Sequence, residues 1–146
     1  MQKQQSDKII YKELSYEIVG ALFDAFKSLG SNYQEKYCQR AVEMFLAKRK
    51  IPFKREVPVK IVVEGNMIGK HFLDFLIKDS VVLELKKGNR NSMSDIKQVL
   101  MYLKTTGLKL GILAYFGSNG VKYKRIINSQ STAKEYSHIS QTDSHL

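Results

Sequence analysis

Two acids and a lysine stand in this sequence at a spacing that could support metal chemistry. Asp74 lies in an alternating apolar segment, and Glu84 and Lys86 lie in the next one, after the polar stretch 78–80. A turn centred on Asp79 would join the two segments as an antiparallel hairpin. Asp74 and Glu84 would then stand directly opposite each other, because both lie five residues from the turn. Lys86 would lie on the same face as Glu84, two residues along the strand.

The predicted surroundings of the two carboxylates are apolar. Facing carboxylates repel each other, and burial disfavours their charged forms. A hard divalent cation offsets both effects, and Mg²⁺ binds one or two carboxylates while keeping several waters. Such an ion can activate a bound water and stabilise charge on a phosphoryl oxygen. From spacing alone, a salt-bridge ladder on a solvated strand remains an alternative. The expected apolar neighbours are Phe72, Leu76, Val82, Leu83 and Leu85.

The hydrophobic periodicity predicts an α/β domain with a mixed sheet and the order ααβββαββ. A helix starting at Ser15 or Tyr16 ends at Gly30, and a proline at position 52 ends a second helix. Another helix starts at Ser92 or Ser94 and ends at Gly107. The other predicted bounds are 33–49 for the second helix and 53–63, 68–77, 81–87, 108–116 and 121–127 for the strands.

The chain is long enough for one domain, which we place at residues 1–128. Residues 129–146 form a polar tail that we expect to be disordered, as we expect the first dozen residues to be frayed. A single cysteine, Cys38, excludes an internal disulfide. The polar start of the sequence and the absence of an apolar run of about 18 residues indicate a cytoplasmic protein without a membrane span.

The charge balance indicates an anionic partner. Lysine and arginine number 24 against 14 acids, a formal net charge of +10. Nucleic acid is the favoured partner for such a chain, with a merely solvated surface or a membrane surface as alternatives. The basic residues that we expect to meet phosphates are Lys54, Arg55, Lys87, Arg90 and Lys124.

The motif segments resemble a known family. Phe72-Leu-Asp74 followed by Val82-Leu-Glu84-Leu-Lys86 resembles the Asp and Glu-x-Lys motifs of the PD-(D/E)XK nuclease superfamily. Segments 29–41, 51–59, 98–104 and 110–117 resemble parts of the GxxExxR proteins within that superfamily. The resemblance covers roughly residues 10 to 128.

The resemblance implies a restriction-endonuclease-like core and metal-dependent hydrolysis of phosphodiester bonds, with DNA as the expected substrate. By that likeness Asp74 and Glu84 would bind Mg²⁺ or Mn²⁺, and Lys86 would orient or activate the attacking water. Glu35 would support the metal or the lysine, and Gln98 would face the site. Tyr102, one helical turn beyond Gln98, is a weaker candidate.

Two other functional classes remain open from the sequence. A catalytically weak or inactive module of the same fold could bind nucleic acid through its charge alone. Alternatively, the basic surface could meet an acidic protein partner. A homodimer is a further expectation, since nucleases that cut both strands often pair.

Overall fold

The computed structural model describes residues 10–89 and 92–129. Arg90, the predicted frayed segment up to residue 9 and the predicted tail from residue 130 lie outside the described residues. The helices are α1 (Lys12–Leu29), α2 (Glu35–Lys48) and α3 (Met93–Thr106); the strands are β1 (Phe53–Val63), β2 (Asn66–Ile77), β3 (Val81–Lys87), β4 (Leu110–Phe116) and β5 (Val121–Ile127).

The five strands form one mixed sheet with the order β1-β2-β3-β4-β5. All neighbouring strands are antiparallel except β3 and β4, which are parallel and are joined through α3. A parallel pair needs such a crossover connection. The predicted α/β class, mixed sheet and element order are therefore confirmed.

Helices cover both faces of the sheet. One buried cluster joins α1 and α2 to side chains such as Phe75 and Leu83, and a second joins α3 to others such as Val82 and Leu113. Every residue of β4 is buried, as its continuous apolar run predicts. Gly111 on β4 allows α3 a close approach, because an added Cβ would lie 2.6 Å from Val99 Cγ1.

The boundaries of β3 and β5 agree with the predictions, whereas α1 starts earlier than predicted. Its first residue is Lys12, and Ser15 lies inside the helix, buried, with no side-chain cap at the start. The prediction of Ser15 or Tyr16 as the start was wrong because it assumed a capping side chain. Gly30 ends the helix as predicted, with φ 82° and its N–H donating to the Phe26 carbonyl.

In the described part of the chain, no helix has the length and apolar character to cross a membrane.

Candidate active site

The β2–β3 hairpin has the predicted register. Phe75 pairs with Leu83, and Ile77 pairs with Val81, so Asp74 and Glu84 come next in line opposite each other. The regular backbone ladder ends at this point, and hydrogen bonds between backbone N–H groups and the two carboxylates take its place. The Asp74 N–H donates to Glu84 Oε1 at 2.9 Å, and the Leu85 N–H donates to Asp74 Oδ2 at 2.8 Å. Each carboxylate is thus fixed by the backbone of the opposite strand.

Strands β1 and β2 both change the faces on which their side chains lie at the level of Asp74. Leu73 belongs to the buried cluster under α3, whereas Phe75 belongs to the cluster under α1 and α2. Two residues of a regular strand at this spacing would share one face. On β1 the opposite position is Glu56, which has φ 51° and forms no ladder pair with Asp74. This irregularity aims the Asp74 side chain toward Glu84, a use of backbone irregularity that is common near active sites.

The two carboxylates are held at an electrostatic cost. Glu84 is 4% exposed, and burial together with repulsion from Asp74 raises its pKa to about 8. Burial also raises the pKa of Asp74, although the hydrogen bond from Leu85 opposes that effect. The positive charge of Lys86 lowers both pKa values, yet Lys86 forms no ion pair with either acid among the described residues. The site therefore has spare capacity for positive charge.

Arg55 supports the site from β1. Its guanidinium donates to the Asp74 carbonyl at 2.8 Å, to Glu43 Oε2 at 3.2 Å and to Gln39 Oε1 at 2.7 Å. Its Cζ also lies 4.4 Å from the centroid of the Phe75 ring. Arg55 thus connects β1 and α2 to β2 at Asp74, the residue that precedes the regular ladder. The side chain of this predicted phosphate contact is half-buried, 21% exposed, and its N–H groups are directed to other residues of the protein.

Helix α3 brings Tyr102 to the site from one face of the sheet. Burial, with the charges of Glu84 and Asp74, raises the pKa of Tyr102 to about 12. The ring of His71 on β2 meets the Tyr102 ring edge-on, with centroids 5.5 Å apart. Gln98 is half-buried one turn before Tyr102 on the same side of the helix.

Helix α2 brings Glu35 to the other face. Burial is the main cause of the raised Asp74 pKa, and the charge of Glu35 adds to it. Glu35 is the exposed first residue of the helix and accepts a hydrogen bond from Gln39 at 3.4 Å. Lys87 donates to the carbonyl of Ser31 in the preceding loop, which links that loop to the end of β3.

The other predicted basic residues lie at varying distances from the carboxylates. Lys54 forms an exposed 2.9 Å ion pair with Asp79 at the turn end of the hairpin, and in the β1–β2 register it lies opposite Leu76, two residues along β2 from Asp74. Lys124 is in register with Leu113, which is itself in register with Glu84. It therefore shares a face with Glu84 two strands away, roughly 10 Å across the sheet.

The donor set suits a hard divalent cation. Asp74 and Glu84 each use one oxygen for a backbone N–H, and Asp74 Oδ1 and Glu84 Oε2 accept no hydrogen bond from the described residues. Within residues 10–89 and 92–129, no cluster of three or more His, Cys, Asp or Glu side chains could hold a metal. Two carboxylates with water in the remaining positions are a common arrangement for Mg²⁺.

The exposure of Phe72 differs from the prediction. It was expected among the apolar neighbours of the carboxylates, but it is 57% exposed, because β2 changes faces just after it. Tyr102, the weaker candidate of the sequence prediction, lies close enough to Glu84 and Asp74 for their charges to act on it. Its four-residue spacing from Gln98 was the available signal in the sequence.

The fold and the paired carboxylates define a restriction-endonuclease-like α/β domain. The family model of the PD-(D/E)XK nuclease superfamily matches residues 12–126, and the chain belongs to that superfamily. Its members act on nucleic acid and generally use divalent metal ions. The superfamily part of the predicted resemblance is therefore confirmed.

The chain is also similar in fold to solved structures. The crystal structure of SSO0001 is similar with a TM-score of 0.50 and 17% identity, over 88% of this chain and 73% of that one. An alkaline exonuclease, LHK-Exo, from Laribacter hongkongensis has a TM-score of 0.47 and 13% identity, over 70% of this chain and 59% of that one. The search of curated proteins finds no match.

Proposed function

We propose that this protein is a nuclease that depends on Mg²⁺ or Mn²⁺ and hydrolyses phosphodiester bonds of DNA. The observation that carries the proposal is the Asp74–Glu84 pair, fixed across two strands by crossed hydrogen bonds to the backbone. The pKa of each carboxyl is raised mainly by burial, so the ionised pair lacks positive charge that a divalent cation would supply.

Asp74 and Glu84 would hold the metal through the oxygens that no described donor occupies. The bound ion would supply a more acidic water and a positive charge close to the scissile phosphate. Lys86, on the same strand face as Glu84, orients the attacking water and donates to the phosphate oxygen. Water attacks phosphorus, and the ester oxygen leaves as a hydroxyl at the end of the released strand.

The supporting residues act from both sides of the sheet. Arg55 holds the Asp74 backbone in place and is a positioning residue in this proposal. Tyr102 and Gln98 face the substrate from α3, and Glu35 adds negative charge from α2. Other phosphates of the bound nucleic acid would be contacted by basic residues outside the catalytic set, namely Lys87, Arg90 and Lys124.

The closer kinship with GxxExxR proteins also belongs to this proposal, as does a homodimeric assembly that cuts both strands. The motif segments quoted above support the first. Size-exclusion chromatography with light scattering, with and without a DNA duplex, would test the second. A monomer under both conditions would exclude the dimer.

The test compares cleavage of single-stranded, duplex and branched DNA with and without Mg²⁺. Glu84→Gln and Lys86→Met keep the shape of each side chain and remove its charge. We expect each to lower the cleavage rate about 10²- to 10⁴-fold, as loss of a catalytic group commonly does. Asp79→Asn at the exposed turn is the matched control and should cleave as the wild type does.

Equal cleavage by wild type and both site variants would overturn the proposal. The protein's net charge of +10 favours a second candidate function, that of a nucleic-acid-binding module with little catalysis. Binding that weakens steeply with salt, with no cleavage under any divalent metal, would establish that function instead.

A further inference from the structure

Strands β1 and β2 extend beyond the rest of the sheet as a two-stranded ribbon. β2 pairs with β3 only from Phe75 to Ile77, but it pairs with β1 as far as Asn66. One side of the ribbon packs against α3 through buried Val59 and Leu73. The other side carries the solvent-exposed residues and begins immediately beside the candidate active site.

This outer side, here called the ribbon face, consists of Pro58, Lys60, Lys70 and Phe72. Phe72 is opposite Pro58, and Lys60 is directly opposite Lys70. Exposed like charges in this arrangement weaken a strand pair. The lysine pair does not stabilise the ribbon, and more than half of the Phe72 side chain is exposed to solvent, so both features favour a role in binding a ligand.

A second aromatic surface lies at the start of α2, here called the helix face. Tyr33 and Tyr37 are 49% and 40% exposed, and their rings meet edge-on with centroids 6.2 Å apart. Lys36 Nζ lies 5.1 Å from the centroid of the Tyr37 ring, and Arg40 Cζ lies 5.9 Å from it. Exposed rings beside cations are the elements with which proteins hold unpaired bases and their phosphates.

The two faces lie on the same side of the sheet, the side away from α3. α2 covers the sheet face opposite α3, and the ribbon face also points away from α3. Glu35, between Tyr33 and Tyr37 in sequence, is close enough for its charge to act on both Asp74 and Glu84. Phe72 precedes Asp74 by two residues on β2. On the neighbouring strand, Lys87 donates to the Ser31 carbonyl just ahead of α2, so the helix face begins beside the end of β3 and the ribbon face begins on β2.

We propose that the ribbon face and the helix face bind single-stranded nucleic acid and lead it across Asp74 and Glu84. Bases stack on Phe72 and Tyr37, and phosphates meet Lys60, Lys70 and Arg40. This inference rests on the proposed nuclease function, since it names the form of the substrate for that site.

The chemistry of the surface favours an unpaired strand over a duplex. In a duplex the flat faces of the bases are stacked on one another and cannot reach protein rings. A single strand, or the frayed end of a duplex, presents those faces freely. Because every base has such a face, the surface would bind without sequence preference. The two faces carry four cations, Lys36, Arg40, Lys60 and Lys70, for the phosphates of the strand.

The test measures binding by fluorescence anisotropy in a Glu84→Gln background, which retains substrate without cutting it. The probes are a labelled single strand of about 12 nucleotides, a length within known single-strand sites, and the matching duplex. Phe72→Leu and Tyr37→Leu each remove a stacking ring and keep an apolar side chain. We expect about 5- to 100-fold weaker single-strand binding for each and a much smaller change for the duplex.

Two controls distinguish stacking from structural damage. Phe72→Trp keeps a ring and should retain single-strand binding, and Tyr16→Leu removes an exposed ring from the start of α1 and should change nothing. Replacing Lys60 and Lys70 together by glutamine should reduce the slope of log affinity against log salt by about 1.4, the value for two phosphates of a single strand.

The outcomes separate this inference from the proposed function. Single-strand binding unchanged by both leucine variants, or equal losses on single strand and duplex, would overturn the inference. If the wild type then still cleaves nucleic acid with its metal, the nuclease proposal stands without it. If the variants lose binding as expected but the wild type cleaves nothing, the surface is established and the nuclease proposal fails.

Discussion

The β2–β3 hairpin contains two halves with opposite energetics. In the core half, residues 75–77 and 81–83 form a regular ladder, and their side chains are buried or nearly so among apolar neighbours. In the site half, Asp74 and Glu84 replace the ladder with hydrogen bonds from the opposite backbone. The core half contributes stability through apolar burial, whereas the site half holds two like charges where water is scarce.

The comparison shows how a small domain holds an unfavourable arrangement. The ladder next to the site fixes the register, so the carboxylates cannot move apart without disturbing the core. Arg55 adds a second restraint from β1 on the Asp74 carbonyl. Variants in the two halves should therefore change different properties.

The largest effect is expected from Asp74→Asn in the site half. We expect the rate of DNA cleavage in Mg²⁺ to fall about 10²- to 10⁴-fold, because a metal-binding charge is lost. The unfolding temperature of the metal-free protein should stay equal or rise, because repulsion with Glu84 is removed. Cleavage assays and thermal melts check both results. A variant that cleaves normally would remove Asp74 from the site.

Leu83→Ala breaks the core half instead. Leu83 is fully buried, so the cavity should lower the free energy of unfolding by about 2–5 kcal/mol, measured by urea denaturation. Val63→Ala, at an exposed position near the ribbon tip, is the control and should change it by less than about 0.5 kcal/mol. Similar losses at both positions would contradict the placement of the core.

Arg55→Lys should weaken the connection between the halves. Lysine cannot reproduce the planar set of donors that reaches Asp74, Glu43 and Gln39. We expect a loss of about 1–3 kcal/mol in the free energy of unfolding, because three half-buried acceptors lose their donors. Arg40→Lys on exposed α2 surface should be nearly neutral. If Arg55 only contacts phosphates, its replacement would lower DNA affinity without lowering stability.

The burial of Glu84 in the site half should also make stability depend on pH. Glu84 has a pKa of about 8 in the folded protein, above its unfolded value near 4.3. Between these values the folded state binds more protons, so metal-free stability should fall as pH rises from about 4.5 to 8. Saturating Mg²⁺ should reduce or reverse the fall, because it binds the ionised pair.

Thermal melts from pH 4.5 to 8.5, with and without Mg²⁺, measure this dependence. Glu84→Gln should flatten the metal-free profile, and Asp79→Asn should leave it as in the wild type. A wild-type profile without any fall in this range would contradict the burial-driven shift of the Glu84 pKa.

Local pattern predicted much of the fold. Strands β3 and β5 agree residue for residue, and the glycines at positions 30 and 107 end helices with positive φ. Strand β2 begins at Asn66 instead of Ile68, and β4 begins at Leu110 instead of Leu108. These ends differ because pairing with a neighbouring strand, which the single sequence does not show, decides where a strand begins.

The role of Arg55 could not be predicted in the same way. In the sequence it is one of many basic residues, and it stands shortly before a proline. Solvent or a phosphate would satisfy its charge equally well. Its partners on β2 and α2 are 12 to 19 residues away. Only packing of α2 against the sheet brings these acceptors together, so no local signal marks the residue.

The sequence by itself determined the hairpin, the facing of Asp74 and Glu84 and the element order, because strand alternation and turn position are local properties. The tertiary structure decided which charges meet them. Glu35 reaches the site through the packing of α2, and Tyr102 reaches it through the crossover of α3. It also decided that the Phe72 side chain is exposed to solvent, because β1 and β2 change faces together at the site. That change of faces results from long-range packing.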